Sequence, residues 1–342
     1  MKFSFKYFAA PLFLLILIAA TFSACRKTPV KKPGPIGGTP TPPGNWQRVA
    51  ALPDGRMRVI EVANGTFYAA SELDVVYSTT DGLHWTASTP IDRAGAITAV
   101  TVFNNKLYAG TELYGIFVSD NGGQTWVNSN ASLRSASSFA VLNNTLYSGS
   151  SEVDGIAVLD DASGHWNPFK SGLPTNYNLD VQKLVPVINT LFSVQGVNGN
   201  YYTYDKTAQT WHEQYFFGST YTPGLRITDM IYDSSILFAA DNDAVLISDR
   251  TGAAWSLDTV GLKKGPNPFE RRALYAGADF YYTLNYSEGK GTWVQKKHRP
   301  LPSASWAANE EFLPDVHGYS IREFKGMVFM GTDSGVYWEA IR

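Results

Sequence analysis

Trp46, Trp85, Trp126, Trp166, Trp211, Trp255 and Trp293 lie 39, 41, 40, 45, 44 and 38 residues apart in a chain of 342 residues. A fixed period near 40 marks a repeated supersecondary unit, which buries its faces only by stacking against the next copy. A second echo precedes the tryptophans: "NGTFYAAS", "NNKLYAGT", "NNTLYSGS", "NTLFSVQ", "SSILFAAD" and, near the end, "KGMVFMGT". In each, a turn pair such as Asn64-Gly65 leads into an alternating or apolar run of strand length, which is the pattern of a hairpin. A third echo, "DVVYS", "YGIFVS", "DGIAVL", "AVLIS" and "SGVYW", supplies another strand that reaches toward the next tryptophan.

One unit therefore reads strand, Asn/Gly turn, strand, polar turn, strand, Gly turn, Trp strand. Four short antiparallel strands in about 40 residues predict a blade of a β-propeller. The expected fold is all-β, with seven four-stranded antiparallel blades. The last unit, "SIREFKGMVFMGTDSGVYWEAIR", lacks its fourth strand, whereas "GNWQRVAALP" stands at the other end as a fourth strand without the first three. Joining the two closes the ring and removes the free edge. The sixth unit, "RRALYAGADFYYTLNYSEGKGTW", is expected to be irregular, with compressed middle strands and Trp293 on its last strand. A β-sandwich is the structural alternative, but it requires no 40-residue period.

"SDNGGQTW" (119–126) resembles the Asp-box, the sialidase-type repeat with pattern S-x-D-x-G-x-T-W. Ser119, Asn121, Gly123, Thr125 and Trp126 take its places. "STTDGLHW" matches through Ser78, Gly82 and Trp85 with Thr80 at the Asp place, and "SDRTGAAW" through Ser248, Gly252 and Trp255 with Arg250 there. Asp161 and Trp166 remain in "LDDASGHW", and Thr210 and Trp211 in "YDKTAQTW". Physically such a motif caps a hairpin: a side-chain oxygen accepts from turn amides, Gly takes positive φ, and Trp covers the turn. The resemblance places these turns opposite the binding mouth, so they read as structural.

By the same resemblance, the mouth is built from the turns between second and third strands and the connections into each first strand. Glu72, Glu112, Glu152, Asp241, Asp243 and Asp333 fall in those turns, and Glu72, Glu112 and Asp333 each follow the repeat's aromatic by four residues. Such carboxylates bind sugars or cations, or serve a glycosidase as acid and base. Basic residues stand near most first strands, but their offsets from the aromatic disagree; Arg93, Arg226 and Arg322 are the candidates to point inward. Sialidases clamp a carboxylate with three arginines, yet their "RIP" signature is absent, with only "RIT" at Arg226. Two long segments, 212–226 and 294–320, offer aromatics for stacking, among them Trp306.

Other chemistry leaves little trace. The five histidines show no metal spacing, and no cofactor or metal is expected. Lys plus Arg (28) nearly balance Asp plus Glu (30), which argues against a nucleic-acid partner. The single cysteine, Cys25, excludes an intramolecular disulfide.

Residues 1–24 carry Lys2 and Lys6, an apolar run from Phe8 to Thr21 and small residues before Cys25, which is the pattern of an export signal. "FSAC" resembles the lipobox of bacterial lipoproteins, implying a lipidated Cys25. Residues 25–44, rich in Pro, Gly and Lys, then form a spacer, and residues 45–342 the ring domain. Surface-exported Bacteroidetes lipoproteins carry acidic residues behind the lipidated cysteine; this spacer is basic, so the resemblance implies a domain on the periplasmic side of the outer membrane. The leading expectation is a monomeric, non-catalytic binding or scaffold module for a glycan or protein. A sialidase-like or xyloglucanase-like glycosidase and an assembly factor like the photosystem-stability propellers are the alternatives.

Overall fold

The structure, a computed structural model, describes residues 45–341 except 93, 131–132, 151–154, 175–178, 196–199, 218–224, 243, 263–271, 300–304 and 308–310. The described residues form seven four-stranded antiparallel sheets, and the chain is a seven-bladed β-propeller. After β1 (Gln47–Arg48), blade 1 runs through β2 (Val59–Ala63), β3 (Thr66–Ala70), β4 (Val76–Thr79) and β5 (Thr86–Ala87) in meander order. Blades 2 to 7 repeat the order. Their first strands are β6 (Ile97–Phe103), β10 (Ser138–Leu142), β14 (Val181–Val187), β18 (Ile227–Asp233), β22 (Arg272–Ala276) and β26 (Gly318–Phe324). Each first strand touches the next around the circle, and β26 touches β2, so the first strands line the axis.

The hairpins form where the sequence puts residues that tolerate positive φ. Asn64-Gly65, Asn104-Asn105 and Asn143-Asn144 all lie at φ between 47° and 74°, the geometry of a two-residue turn that matches strand twist. Seven apolar clusters then fill the seven seams between blades, one per seam. The tryptophans belong to these seams. Trp126 Nε1 donates to Thr89 O (3.2 Å), Trp166 to Ser129 Oγ (3.0 Å), Trp211 to Phe169 O (2.9 Å) and Trp255 to Tyr201 Oη (3.2 Å), in each case on the preceding blade. Each ring thus ties its own outer hairpin to the blade before it.

The ring closes by pairing β1 with β28 (Gly335–Ala340), in register Gln47 with Trp338 and Arg48 with Tyr337. A half-buried polar knot ties blade 6 to this closing pair. Lys296 Nζ donates to Glu311 Oε1 (2.8 Å) and Glu339 Oε1 (2.9 Å), and Trp46 Nε1 donates to Glu311 Oε2 (2.6 Å). Burial, then the adjoining Glu311 carboxylate, pushes the Glu339 carboxyl up to about 7 against the pull of Lys296. Burial also opposes charge on Glu311, but hydrogen bonds from Glu339, Lys296 and Trp46 hold it below its ordinary value. The pair therefore shares one proton near neutrality.

Blade 6 corrects the sequence reading. Its strands are β22, β23 (Phe280–Ser287), β24 (Gly291–His298) and β25 (Glu311–Pro314), so the middle strands are long and Trp293 lies on the third strand, stacked on Phe312 at 4.7 Å. Trp306, in the crossing to β25, occupies the seam toward blade 5 among Phe238, Leu262 and Tyr281, and its backbone N–H donates to Val260 O (2.9 Å). The even tryptophan spacing at this unit was a coincidence. The seam position is filled instead by Trp306, on the longer crossing between β24 and β25.

Candidate binding mouth

The two ends of the ring are distinguishable. On one end lie the turns between first and second strands together with the capped turns between third and fourth; Asn104 Nδ2 joins them by donating to Asp161 Oδ2 of the next blade (2.7 Å). In these turns the caps are built, but partly on other residues than the sequence alignment chose. Ser119 Oγ accepts from Gly123 N (2.8 Å) and Asn121 Oδ1 from Thr125 N (2.9 Å), as expected. In blade 1 the corresponding bonds go to Thr79 Oγ1, from Gly82 N (2.9 Å), and to Asp81 Oδ1, from Leu83 N (2.8 Å) and His84 N (2.9 Å), not to Ser78 or Thr80. In blades 3, 4 and 5 the accepting carboxylates are Asp160, Asp205 and Asp249, not Asp161 or the position of Arg250. The turns differ in length, so a fixed pattern slides past the acceptor by one residue, while Gly82, Gly123 and Gly252 keep positive φ (83°, 90° and 70°).

The opposite end carries the turns between second and third strands, which in blades 1, 2 and 7 are bonded to the connection that leads into the blade's own first strand. Glu72 N donates to Arg56 O, Glu112 N to Ala96 O and Asp333 N to His317 O, at 3.2, 3.0 and 3.0 Å. Glu72, Glu112 and Asp333 thus hold equivalent positions. Asp241 sits one place earlier, paired with Ile227 as Thr111 is with Ile97, and its Oδ1 accepts from Arg226 N (2.9 Å). Beside two of the equivalent acids the turn tips expose apolar side chains, Leu73 at 71% and Leu113 at 59%.

Only part of the expected set converges. Glu72 Oε1 accepts from Arg56 Nη1 (2.7 Å) and lies 3.0 Å from Arg58 Nε. Both guanidinium groups face the Tyr319 ring, at 5.9 and 5.6 Å from its centroid. Tyr319 stacks on His317 (4.2 Å), and His317 on Tyr286 (3.6 Å, 3° between planes). Asp333 Oδ1 accepts from His317 N (3.1 Å) and Ser334 Oγ (3.0 Å), which fixes the base of this ladder. The Glu72 hydrogen bond raises the pKa of Arg56, and burial raises those of Tyr319 and Tyr286, so at neutral pH the ladder joins a charged Arg56 to neutral phenols. Glu112 and Arg226 are exposed and take no part. Cys25, Arg93, Glu152 and Asp243 lie outside the described residues.

Below the ladder the axis holds a cavity of about 250 Å³ to which all seven first strands contribute. Arg322 lies inside it, not at the rim. Its Nη2 donates to Glu61 Oε2 (2.8 Å), its guanidinium faces Tyr275 (5.4 Å), and Glu61 and Asp229 keep its pKa above the ordinary value although burial opposes the charge. Lys183 pairs with Asp229, whose Oδ2 also accepts from Leu274 N (2.8 Å). Hydroxyls complete the belt: Thr98 Oγ1 donates to Ala136 O (2.6 Å), Ser137 Oγ to Val181 O, and Ser320 Oγ to Arg58 O (2.9 Å). The polar groups of the axis are thus bonds from blade to blade.

Two sequence-predicted stacking residues are withdrawn from solvent. Trp306 is 1% exposed in the seam of blades 5 and 6, on a crossing that belongs to the capped end. Phe216, from the segment after Trp211, is buried against Tyr201 and Trp255. Burial of apolar area outweighs display of a large ring wherever a seam can accept it. Arg56, Tyr286, His317 and Tyr319 were missed. Their only sequence signal was proximity to strand ends, because the ladder draws on blades 6, 7 and 1, at the two extremes of the domain.

No family model matches the chain, and no curated protein matches it. Among solved structures, it is similar to YCF48 bound to a D1 peptide (15% identity, 88% of this chain and 95% of that one, TM-score 0.65). It is also similar to the extracellular domain of a two component system protein from B. thetaiotaomicron (13% identity, 86% of this chain, TM-score 0.63) and to an ancestral GH74 enzyme (15% identity, 86% of this chain, TM-score 0.61). The chain spans 39% and 46% of the lengths of the last two. At these identities the likeness concerns the fold: distant structural neighbours that are propellers of one architecture, found among binding proteins and an enzyme alike.

Proposed function

We propose that this chain is an Asp-box-type, lipid-anchored propeller of the cell envelope that binds a protein through its mouth without catalysing a reaction. One observation carries the reading: two mouth carboxylates on adjacent blades, Glu72 and Asp333, are already engaged. Glu72 is held by Arg56 and Arg58, and Asp333 caps the backbone at His317. A glycosidase needs two carboxyls free to face a substrate, about 5–5.5 Å apart for retention or about 6.5–9.5 Å for inversion. What the rim offers instead is guanidinium groups, phenols and the apolar tips Leu73 and Leu113, the mixture that marks protein interfaces. Ring faces in the ladder stack on one another and on arginine, which supports a peptide over a sugar as the ligand. A neighbour in fold, YCF48, is seen with a peptide. Attachment through Cys25 and a basic spacer would place the mouth within reach of envelope proteins.

The test is cross-linking from the mouth in the native envelope. A photoreactive residue at position 73 or 113 is expected to yield one discrete protein adduct that is lost in Tyr319→Ala, while glycan arrays stay blank. Turnover of any glycan that disappears in Glu112→Gln or Asp333→Asn would overturn the reading.

A further inference from the structure

The closing strand enters the ring from one of its two ends, and the bonds of β1 say which. Gln47 pairs with Trp338, Arg48 with Tyr337, and Val49 N donates to Val336 O, so β1 runs from the Ala340 end of β28 toward its Gly335 end. Just past Ala340, Ile341 N donates to Gly326 O (3.0 Å) in the turn between first and second strands of blade 7, which lies on the capped end. At the other end of β1, Arg48 Nε donates to Ser334 O (3.2 Å), in a turn that belongs to the mouth. Asn45 and Trp46 therefore stand at the capped end, where every fourth strand of this meander begins. The point is pinned, because Trp46 is 2% exposed and its Nε1 donates to Glu311 Oε2 (2.6 Å). Whatever precedes Asn45 leaves the ring there.

The spacer expected from the sequence, residues 25–44, is rich in Pro and Gly, and two limits bound its reach. As a coil, a chain of about 20 residues spans about 25 Å between its ends; as an extended Pro-rich spacer it spans about 60 Å and resists bending back. A first strand of seven residues, such as β26, makes the ring about 23 Å tall. To turn the mouth toward a surface that holds Cys25, a coil would spend its whole reach climbing the outside of a blade, and a stiff spacer would have to reverse direction. Both limits disfavour that arrangement. Nor is the capped end built to enter lipid. Asp81, Asp160, Asp205 and Asp249 stand in its turns with pKa values below the ordinary carboxylate value, held there first by hydrogen bonds from His84, Ser163, Ala208 and Thr251 respectively. These charges keep that end in water, above the headgroups.

We infer that the ring is held with its capped end toward the lipid surface and its mouth turned away, so that the mouth receives a soluble protein or domain from the aqueous side. The inference rests on the lipid anchor at Cys25 proposed above and adds a direction to it. The exposed tips Leu73 and Leu113 then stand at the end of the ring farthest from the membrane, while a protein embedded in the same leaflet meets the capped turns.

The experiment measures resonance energy transfer from a dye on the chain, purified from its own membranes and added to preformed phosphatidylcholine vesicles, to acceptor-labelled lipid headgroups. The dye sits on Leu83→Cys, in the capped turn of blade 1, or on Leu113→Cys, in the mouth turn of blade 2. Both positions are exposed (60% and 59%), so neither change disturbs packing, and Cys25, the only native cysteine, is closed to the dye by its lipid. Transfer is expected to be at least twofold stronger from position 83 than from position 113, and to vanish from both when Cys25→Ser is added. Equal transfer, or stronger transfer from position 113, in a chain that floats with the vesicles would overturn the orientation and leave the anchor standing. A native chain that takes up dye at Cys25 and does not float would overturn the anchor, and the orientation with it.

Discussion

Glu339 gives the ring closure a pH dependence of defined sign. Its side chain is 5% exposed, shares Lys296 with Glu311, and has its pKa raised from 4.5 to about 7. A carboxyl raised by folding stabilises the native state fully below its unfolded value and loses that contribution as pH climbs through the folded value. The window is therefore about pH 4.5 to 7, and the rise corresponds to about 3 kcal/mol at about 1.4 kcal/mol per tenfold change in proton affinity. Glu339→Gln keeps the geometry, because its amide donates toward Glu311 and its carbonyl accepts from Lys296, as the protonated acid does. The substitution should be near neutral at pH 4.5 and stabilise by up to about 3 kcal/mol at pH 8. Urea unfolding of both proteins at intervals from pH 4.5 to 8.5 reads this directly, as a difference that grows with pH and levels off above 7. A variant that is less stable at pH 8 would refute the reasoning, since it would mean that ionised Glu339 gains more from Lys296 than it loses to burial and to Glu311.

Two further outcomes follow from the seams. Trp306→Ala removes a fully buried ring between blades 5 and 6 and should cost about 3–5 kcal/mol in thermal or urea unfolding, with no change in cross-linking from the mouth. Gly123→Ala should destabilise clearly more than Gly122→Ala: both residues have positive φ, but a Cβ on Gly123 would lie 2.7 Å from Ser88 Cβ of the preceding blade, while Gly122 has open space. A ranking of the two by circular dichroism melts in the reverse order would contradict the seam geometry.

The blade was legible because its signals are local. A turn pair such as Asn64-Gly65, alternating strands on either side and a tryptophan at a steady distance all lie within about 40 residues. Ring closure was legible too, since an orphan strand at Gln47–Arg48 and a unit short of one strand admit a single completion. Blade 6 was misread where the local signal failed: Trp293 fell on the expected spacing, while Trp306, outside it, fills the seam. At the mouth, the equivalence of Glu72, Glu112 and Asp333 followed from counting, but not what each carboxylate does.

The sequence by itself determined the unit, its repetition and the need to close, because hairpin turns and strand alternation act between near neighbours. The tertiary structure alone decided which side chains meet. Arg322 finds Glu61 across 261 residues, and Trp46 finds Glu311 across 265. Such pairs depend on how the seven seams pack, since each blade's twist and turn length shift where its side chains arrive. That is why the mouth ladder and the axial belt belong to the folded ring, and why no spacing along the chain announced them.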